Sequence, residues 1–333
     1  MTPIEALEGV TSARFHQEII PAARPVILRG LVRDWPIVEA GRRSPEALRD
    51  YLMGFDAGGP APILEGPPEI AGRFFYDAAM NGFNFRKGTA GLAQVFETLL
   101  AHAGDERPPA LALQSLPVRG GLPGLEADNP MPLLNNAIEP RIWLGNRVIV
   151  AAHHDPTENI ACVAAGRRRF TLFPPEQVAN LYMGPFEMTP AGVAISMVDF
   201  DAPDRAAHPR FAEAEAAALV ADLEPGDAIY IPYLWWHHVR SLDPVNLLVN
   251  YWWTPPAPGR GGPQEALFHA MVAIKALPEP HRRAWKAMFD HYVFELDGPA
   301  AEHLPPKRRG VLGELTPQML RDVRTAIARS LAR

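Results

Sequence analysis

The sequence predicts a mainly β core set between an α/β lead-in and a helical tail. Three observations carry this. Prolines number 36 in 333 residues, about twice the usual share; β signals crowd between Arg141 and Trp253; and helical spacing returns after Gln264. Proline suits neither helix interiors nor central strands, so an apolar chain rich in it favours short elements and many turns. With 47% hydrophobic and 21% charged residues, the chain has material for a sizeable core.

In chain order, Pro25 to Gly30 reads as a short buried strand closed by glycine, with a turn at Asp34-Trp35-Pro36. Ser44 to Met53 and Gly91 to His102 carry helical spacing, the second through Leu92, Val95, Phe96 and Leu99. The Gly/Pro-rich stretch from Pro117 to Asn136 is a loop by composition. Strands follow at Ile142 to Ala151, Asn159 to Ala164, Arg169 to Phe173, Ala228 to Ile231 and Val245 to Trp253, and Phe211 to Leu223 is read as a helix. Pro255 to Gly259 reads as a break. Beyond it, Gln264 to Leu277 and Glu279 to Phe294 are amphipathic, and a last helix to Ala332 starts with Thr316 as N-cap and Pro317 at N1. The expected division is a lead-in over 1–110, a core over 111–258 and a helical segment over 259–333.

A net charge of −6 argues against a nucleic-acid partner. No run of about 18 apolar residues exists, so no membrane span is expected. Cys162, the one cysteine, makes no internal disulfide, and the start lacks the pattern of a signal peptide; a cytoplasmic protein is the expectation.

Chemistry concentrates in two histidine clusters. His153-His154-Asp155 follows a predicted strand, where residues i and i+2 share a face, so His153 and Asp155 present an imidazole and a carboxylate together. A lone His-x-Asp arises by chance in about half of such chains. The second cluster, Trp235-Trp236-His237-His238, follows the turn Pro225-Gly226-Asp227 and the strand Ala228 to Ile231. Two histidines and one carboxylate on neighbouring strands make a facial triad that leaves coordination positions open. Ligand type alone suits Fe(II), Mn(II), Co(II) or Zn(II). His237 is the expected ligand, and a bulge that shifts the alternation would put His238 in its place.

With these residues in place, the chain resembles the JmjC-type, cupin-like 2-oxoglutarate oxygenases, closest to the group that includes the asparaginyl hydroxylase acting on hypoxia-inducible factor. The resemblance spans about residues 140–254. It rests on Ala152 to Asp155, Asn159, Gly166 to Pro175, Val198 to Asp201, Pro225 to Asp227, His237-His238 and Val249 to Trp252. It implies a double-stranded β-helix (jelly roll), Fe(II) held by His153, Asp155 and His237, and 2-oxoglutarate held by Arg168, where relatives carry Lys, with Asn159 and Asn250 lining the same pocket. Relatives place a Thr and a Tyr where Val150 and Ala112 stand, so two hydroxyl donors are absent. The resemblance also implies a 2-oxoglutarate-dependent dioxygenase that hydroxylates a protein or peptide side chain, with a small molecule as the other substrate class.

Gln114, Asp199, Asp201 and Trp235 are the candidate substrate contacts; the bland readings are a surface amide, a solvated acidic loop and a core indole. Val150 and Ala112 keep open a second function, a metal-binding cupin that has lost turnover and acts as a binding or regulatory module. A Zn or Mn isomerase or hydrolase is a third. The apolar faces of the last three helices suggest a homodimer.

Overall fold

The computed structural model describes residues 1–254 and 262–331, which form two compact units divided after Thr254. The expected core boundary at 258/259, the break at Pro255 to Gly259 and the terminal Ala332 lie outside the described residues.

The first unit contains fourteen strands: β1 (Thr2–Pro3), β2 (Ala6–Glu8), β3 (Val26–Arg29), β4 (Ala61–Gly66), β5 (Arg86–Ala90), β6 (Ala110–Pro117), β7 (Pro140–Gly145), β8 (Ile149–His153), β9 (Glu158–Ala165), β10 (Arg168–Phe173), β11 (Leu219–Leu223), β12 (Ala228–Ile231), β13 (Trp236–Ser241) and β14 (Asn246–Trp253). They build two sheets, a five-stranded one in the order β1-β11-β10-β13-β8 and a nine-stranded one in the order β2-β3-β12-β9-β14-β7-β6-β4-β5. Their facing sides share one apolar cluster, with Phe170, Leu172 and Val239 from the first sheet and Val163, Ile229 and Leu248 from the second. This is the expected jelly roll.

Each sheet is covered on its back. Behind the nine-stranded sheet pack the helices Pro36–Arg43, Pro45–Met53 and Leu92–Ala101, through Ile37, Leu48, Leu52 and Phe96. The first lies so close to β9 that a Cβ on Gly41 would stand 2.8 Å from the Ala164 carbonyl oxygen. Behind the five-stranded sheet, the segment after Phe173 folds back, and Leu181, Val198 and Phe211 seal it.

Two expectations need correction. Residues 142–151 are two strands in different sheets, not one. The chain turns at Asn146, whose side-chain oxygen accepts the Leu111 N–H at 3.1 Å and whose amide donates to the Pro109 carbonyl at 2.7 Å. Residues 211–223 are a helix only over Phe211–Ala217, because Leu219, Ala221 and Leu223 alternate into the interior and β11 pairs with β10. Within the first unit, β1 to β5 of the lead-in join the two sheets.

The second unit carries the helices Pro263–Ile274, Glu279–Tyr292 and Pro317–Leu331, none with a buried residue. Thr316 caps the last, its hydroxyl accepting the Met319 N–H at 3.2 Å. Among the described residues no helix is long and apolar enough to cross a membrane.

Candidate metal centre

β8 and β13 run antiparallel with His153 directly opposite His237. The register slips between His237 and Val239, because β8 spends two residues, Ala151 and Ala152, where β13 spends only His238. Val150 and His153 therefore both face the interior although they stand three apart, while both alanines face the back of the sheet. β13 alternates without interruption, which sends His237 inward and His238 outward. The bulge therefore sits on β8, not on the strand that carries His237 and His238, and His237 keeps the ligand position.

The two imidazole rings lie 4.2 Å apart, centre to centre. Each Nδ1 is engaged by the carbonyl two residues earlier in the chain, His153 with Ala151 at 2.9 Å and His237 with Trp235 at 3.1 Å. Carbonyls only accept, so Nδ1 carries the proton and Nε2 keeps its lone pair, which is the tautomer a metal needs. The Asp155 carboxylate comes within 3.5 Å of His237 Nε2, and the ligand atoms of the three residues all lie within 4.8 Å of one another. Burial, and then the neighbouring His153, push the His237 pKa well below its ordinary value. Two imidazoles and one carboxylate fit a divalent ion of the iron type.

The loop that bears Asp155 is tied to the loop before β13. Leu234 adopts a left-handed backbone (φ 61) and donates its N–H to the Asp155 carbonyl at 3.2 Å. That conformation is costly for a residue with a Cβ, and it was not legible in the sequence. Trp235, expected to touch substrate, sits in the interior cluster, and its carbonyl holds His237.

Arg168 shares the inward side of β10 with Phe170 and Leu172, and Leu172 pairs with His237. Only 6% exposed, Arg168 has no ion-pair partner among the described residues, and its Nε has no hydrogen bond. Burial lowers its pKa to about 10, so it remains a cation at neutral pH. A buried, unpaired guanidinium is costly unless something anionic meets it. Asn159 and Asn250 also face inward, joined by a hydrogen bond of 3.3 Å. Val150 packs against the interior cluster and Ala112 against Phe74 and Phe85, and neither offers a donor.

The remaining candidates lie elsewhere. Asp199 pairs with Arg73 at 3.2 Å and Asp201 pairs with Arg240, which projects from the outward side of β13 beside His238. His238 stacks on Phe200 at 4.7 Å, and burial, followed by Arg240, lowers its pKa to about 4. The acidic pair thus pins the covering segment to the back of the sheet, away from the cage. Gln114 is half-buried on β6, next to Ser115 at φ 49, and its amide meets no partner among the described residues. Trp143, which the sequence did not single out, donates its indole N–H to Asn250 Oδ1 at 2.7 Å. Without knowledge that β7 pairs with β14, nothing in the sequence joins those two residues.

Residues 12–258 match the model of a cupin-like domain family. The chain is similar to HSPB1-associated protein 1 of Bos taurus, 32% identical over 156 residues that cover 45% of this chain and 31% of that protein. It is also similar to lysine-specific demethylase 8 of Xenopus tropicalis, 26% identical over 261 residues that cover 76% of this chain and 53% of that one. A similar match is Jumonji C domain-containing protein 5 of Drosophila melanogaster, 26% identical over 260 residues, 75% of this chain and 59% of the relative. The chain thus spans about a third to three fifths of the length of these curated relatives.

Proposed function

Because the chain belongs to the cupin-like domain family, we propose that it is an Fe(II)- and 2-oxoglutarate-dependent oxygenase that hydroxylates a side chain of a protein or peptide. The observation that carries this reading is an inward face that holds both a three-ligand cage and a buried guanidinium without a counter-ion among the described residues. The names of the relatives, a lysine-specific demethylase and an HSPB1-associated protein, support a macromolecular substrate.

Iron with 2-oxoglutarate and dioxygen supplies the oxidising power that replaces an unactivated C–H with C–OH. The chain's part is placement. His153, Asp155 and His237 would hold the ion. The two Nδ1 bonds keep both rings in the metal-binding tautomer. Arg168 offers a planar fork to the far carboxylate of the diacid. Trp235, Val239 and Leu248 line the interior with apolar surface that keeps bulk water from the site.

The apolar side chains of Val150 and Ala112 favour one other reading, a metal-binding cupin without turnover. Incubation of iron-loaded protein with 2-oxoglutarate, followed as succinate, separates the two. Succinate formed by the wild type and not by Asp155→Ala supports the oxygenase; bound 2-oxoglutarate without succinate overturns it. The substrate is sought by capture on a metal-ligand variant, with a +16 product on captured proteins as the mark. For the second unit we propose a homodimer through its helices, whose apolar side chains, such as Leu267, Trp285, Met288 and Ile327, are exposed. Light scattering that returns a mass near 36.6 kDa at micromolar concentration refutes it.

A further inference from the structure

The hydrogen-bond chain from Trp143 through Asn250 to Asn159 has a fixed sense. An indole nitrogen can only donate, so Asn250 must turn its oxygen to Trp143, at 2.7 Å, and its NH2 toward Asn159. Asn159 then accepts at Oδ1, at 3.3 Å, which leaves its own NH2 as the free end. Amide orientation is usually ambiguous, and here the donor-only indole decides it. All three residues face the interior: Trp143 packs against the inner cluster, Asn250 shares a side with Leu248, and Asn159 shares one with Ala161 and Val163. The Asn159 NH2 meets no partner among the described residues. The same interior also presents the Arg168 guanidinium, another pure donor, while Val150 and Ala112 present nothing polar.

We propose that Trp143 is a positioning residue for 2-oxoglutarate: by fixing the sense of the Asn250–Asn159 pair, it makes Asn159 an N–H donor that stands in for the hydroxyls absent at Val150 and Ala112. The inference rests on the oxygenase reading above. It also sets a specificity. Away from the metal ligands, the Arg168 and Asn159 donors fit a ligand whose polar groups there only accept, so 2-oxoglutarate is preferred over 2-hydroxyglutarate, whose hydroxyl brings a donor.

The test is calorimetric titration of the Mn(II)-loaded full chain, without oxygen, with each of the two diacids. Trp143→Phe keeps a ring against Trp252, whose indole meets Trp143 edge-on at 5.7 Å, and removes only the donor. With the amides free to turn, 2-oxoglutarate should bind about five- to tenfold more weakly, and 2-hydroxyglutarate less than about twofold more weakly, so that discrimination shrinks. Asn250→Asp still accepts from Trp143 and cannot donate to Asn159, so it should weaken 2-oxoglutarate at least as much. It carries the test if Trp143→Phe does not fold. Equal weakening of both diacids, or wild-type affinity for 2-oxoglutarate in a folded variant, overturns the positioning role while the oxygenase reading stands. A wild type that takes up no 2-oxoglutarate overturns both.

Discussion

The two sides of β10 and β13 treat the same residue types in opposite ways. On the outward side, Arg169 pairs with Asp222 at 2.7 Å, Arg240 with Asp201, and His238 rests on Phe200. On the inward side, Arg168 has no counter-ion among the described residues, and His237 points its lone pair at a neighbouring imidazole and a carboxylate. The outward groups are complete within the chain. The inward ones are costly to leave as they stand, so the contrast locates the ligands: a cation belongs where lone pairs converge, and an anion where a guanidinium waits.

The largest test of that contrast is the metal. His153→Ala, Asp155→Ala or His237→Ala should lower iron affinity by more than about a hundredfold, beyond what loss of a supporting partner costs, with the fold kept. His238→Ala should keep the iron. Elemental analysis after dialysis decides, and iron lost from His238→Ala with retention in His237→Ala would reverse the two sides.

Next comes Arg168. Arg168→Ala should raise the 2-oxoglutarate dissociation constant at least about tenfold, or about 1.4 kcal/mol, and Arg169→Ala should leave it unchanged. The metal-free, ligand-free protein should respond in the other direction. Arg168→Met removes an unmatched buried charge and should stabilise the fold by about 1 kcal/mol or more, read as a higher Tm. A lower Tm would mean that the guanidinium already has a partner.

A smaller effect is tied to pH. The folded His238 stays neutral down to about 4, whereas an unfolded histidine takes its proton near ~6.5. The unfolded state binds more protons in that window, so stability should fall as pH is lowered through it, by on the order of 1 kcal/mol per pH unit per buried imidazole. His238→Phe should flatten part of the slope in melts of metal-free protein between pH 7 and 5. An unchanged slope would place the acid sensitivity elsewhere. Smallest of all is Arg169→Ala. Its ion pair is more than half exposed, so chemical denaturation should report a loss under about 1 kcal/mol.

The sequence revealed the ligands better than their surroundings. The i, i+2 spacing singled out His153 and Asp155 from the sequence, although Asp155 lies in the loop after β8, where the Leu234 N–H meets its carbonyl. Alternation along a strand named Arg168 over Arg167 and Arg169, because a period of two is a local property. Strand-to-strand facts were out of reach. That residues 142–151 part into two sheets depends on Asn146 finding partners at Leu111 and Pro109, and that Trp143 meets Asn250 depends on the register of β7 with β14. Residues 219–223 misled because a short, mostly apolar run that follows the alanine-rich residues 212–218 fits either period until pairing with β10 and β1 settles it. Asp199 and Asp201 looked like substrate contacts because their arginine partners, Arg73 and Arg240, are 126 and 39 residues away.

The two consecutive outward alanines of β8 bear on how such a site is inherited. They let the chain reach from Val150 to His153 in an odd number of steps and still finish on the side where it began. A descendant that lost one of them would regain a plain two-residue rhythm and build the same cage, but its counterpart of Val150 would stand two places before the histidine rather than three. Spacing along the chain is therefore free to shorten by one residue here while the cage stays put, and the position to compare between cousins is the one opposite Val239. For the same reason, an inserted residue in this short stretch would do more harm than a long addition in the segment covering the back of the sheet, where no ligand's facing depends on the count.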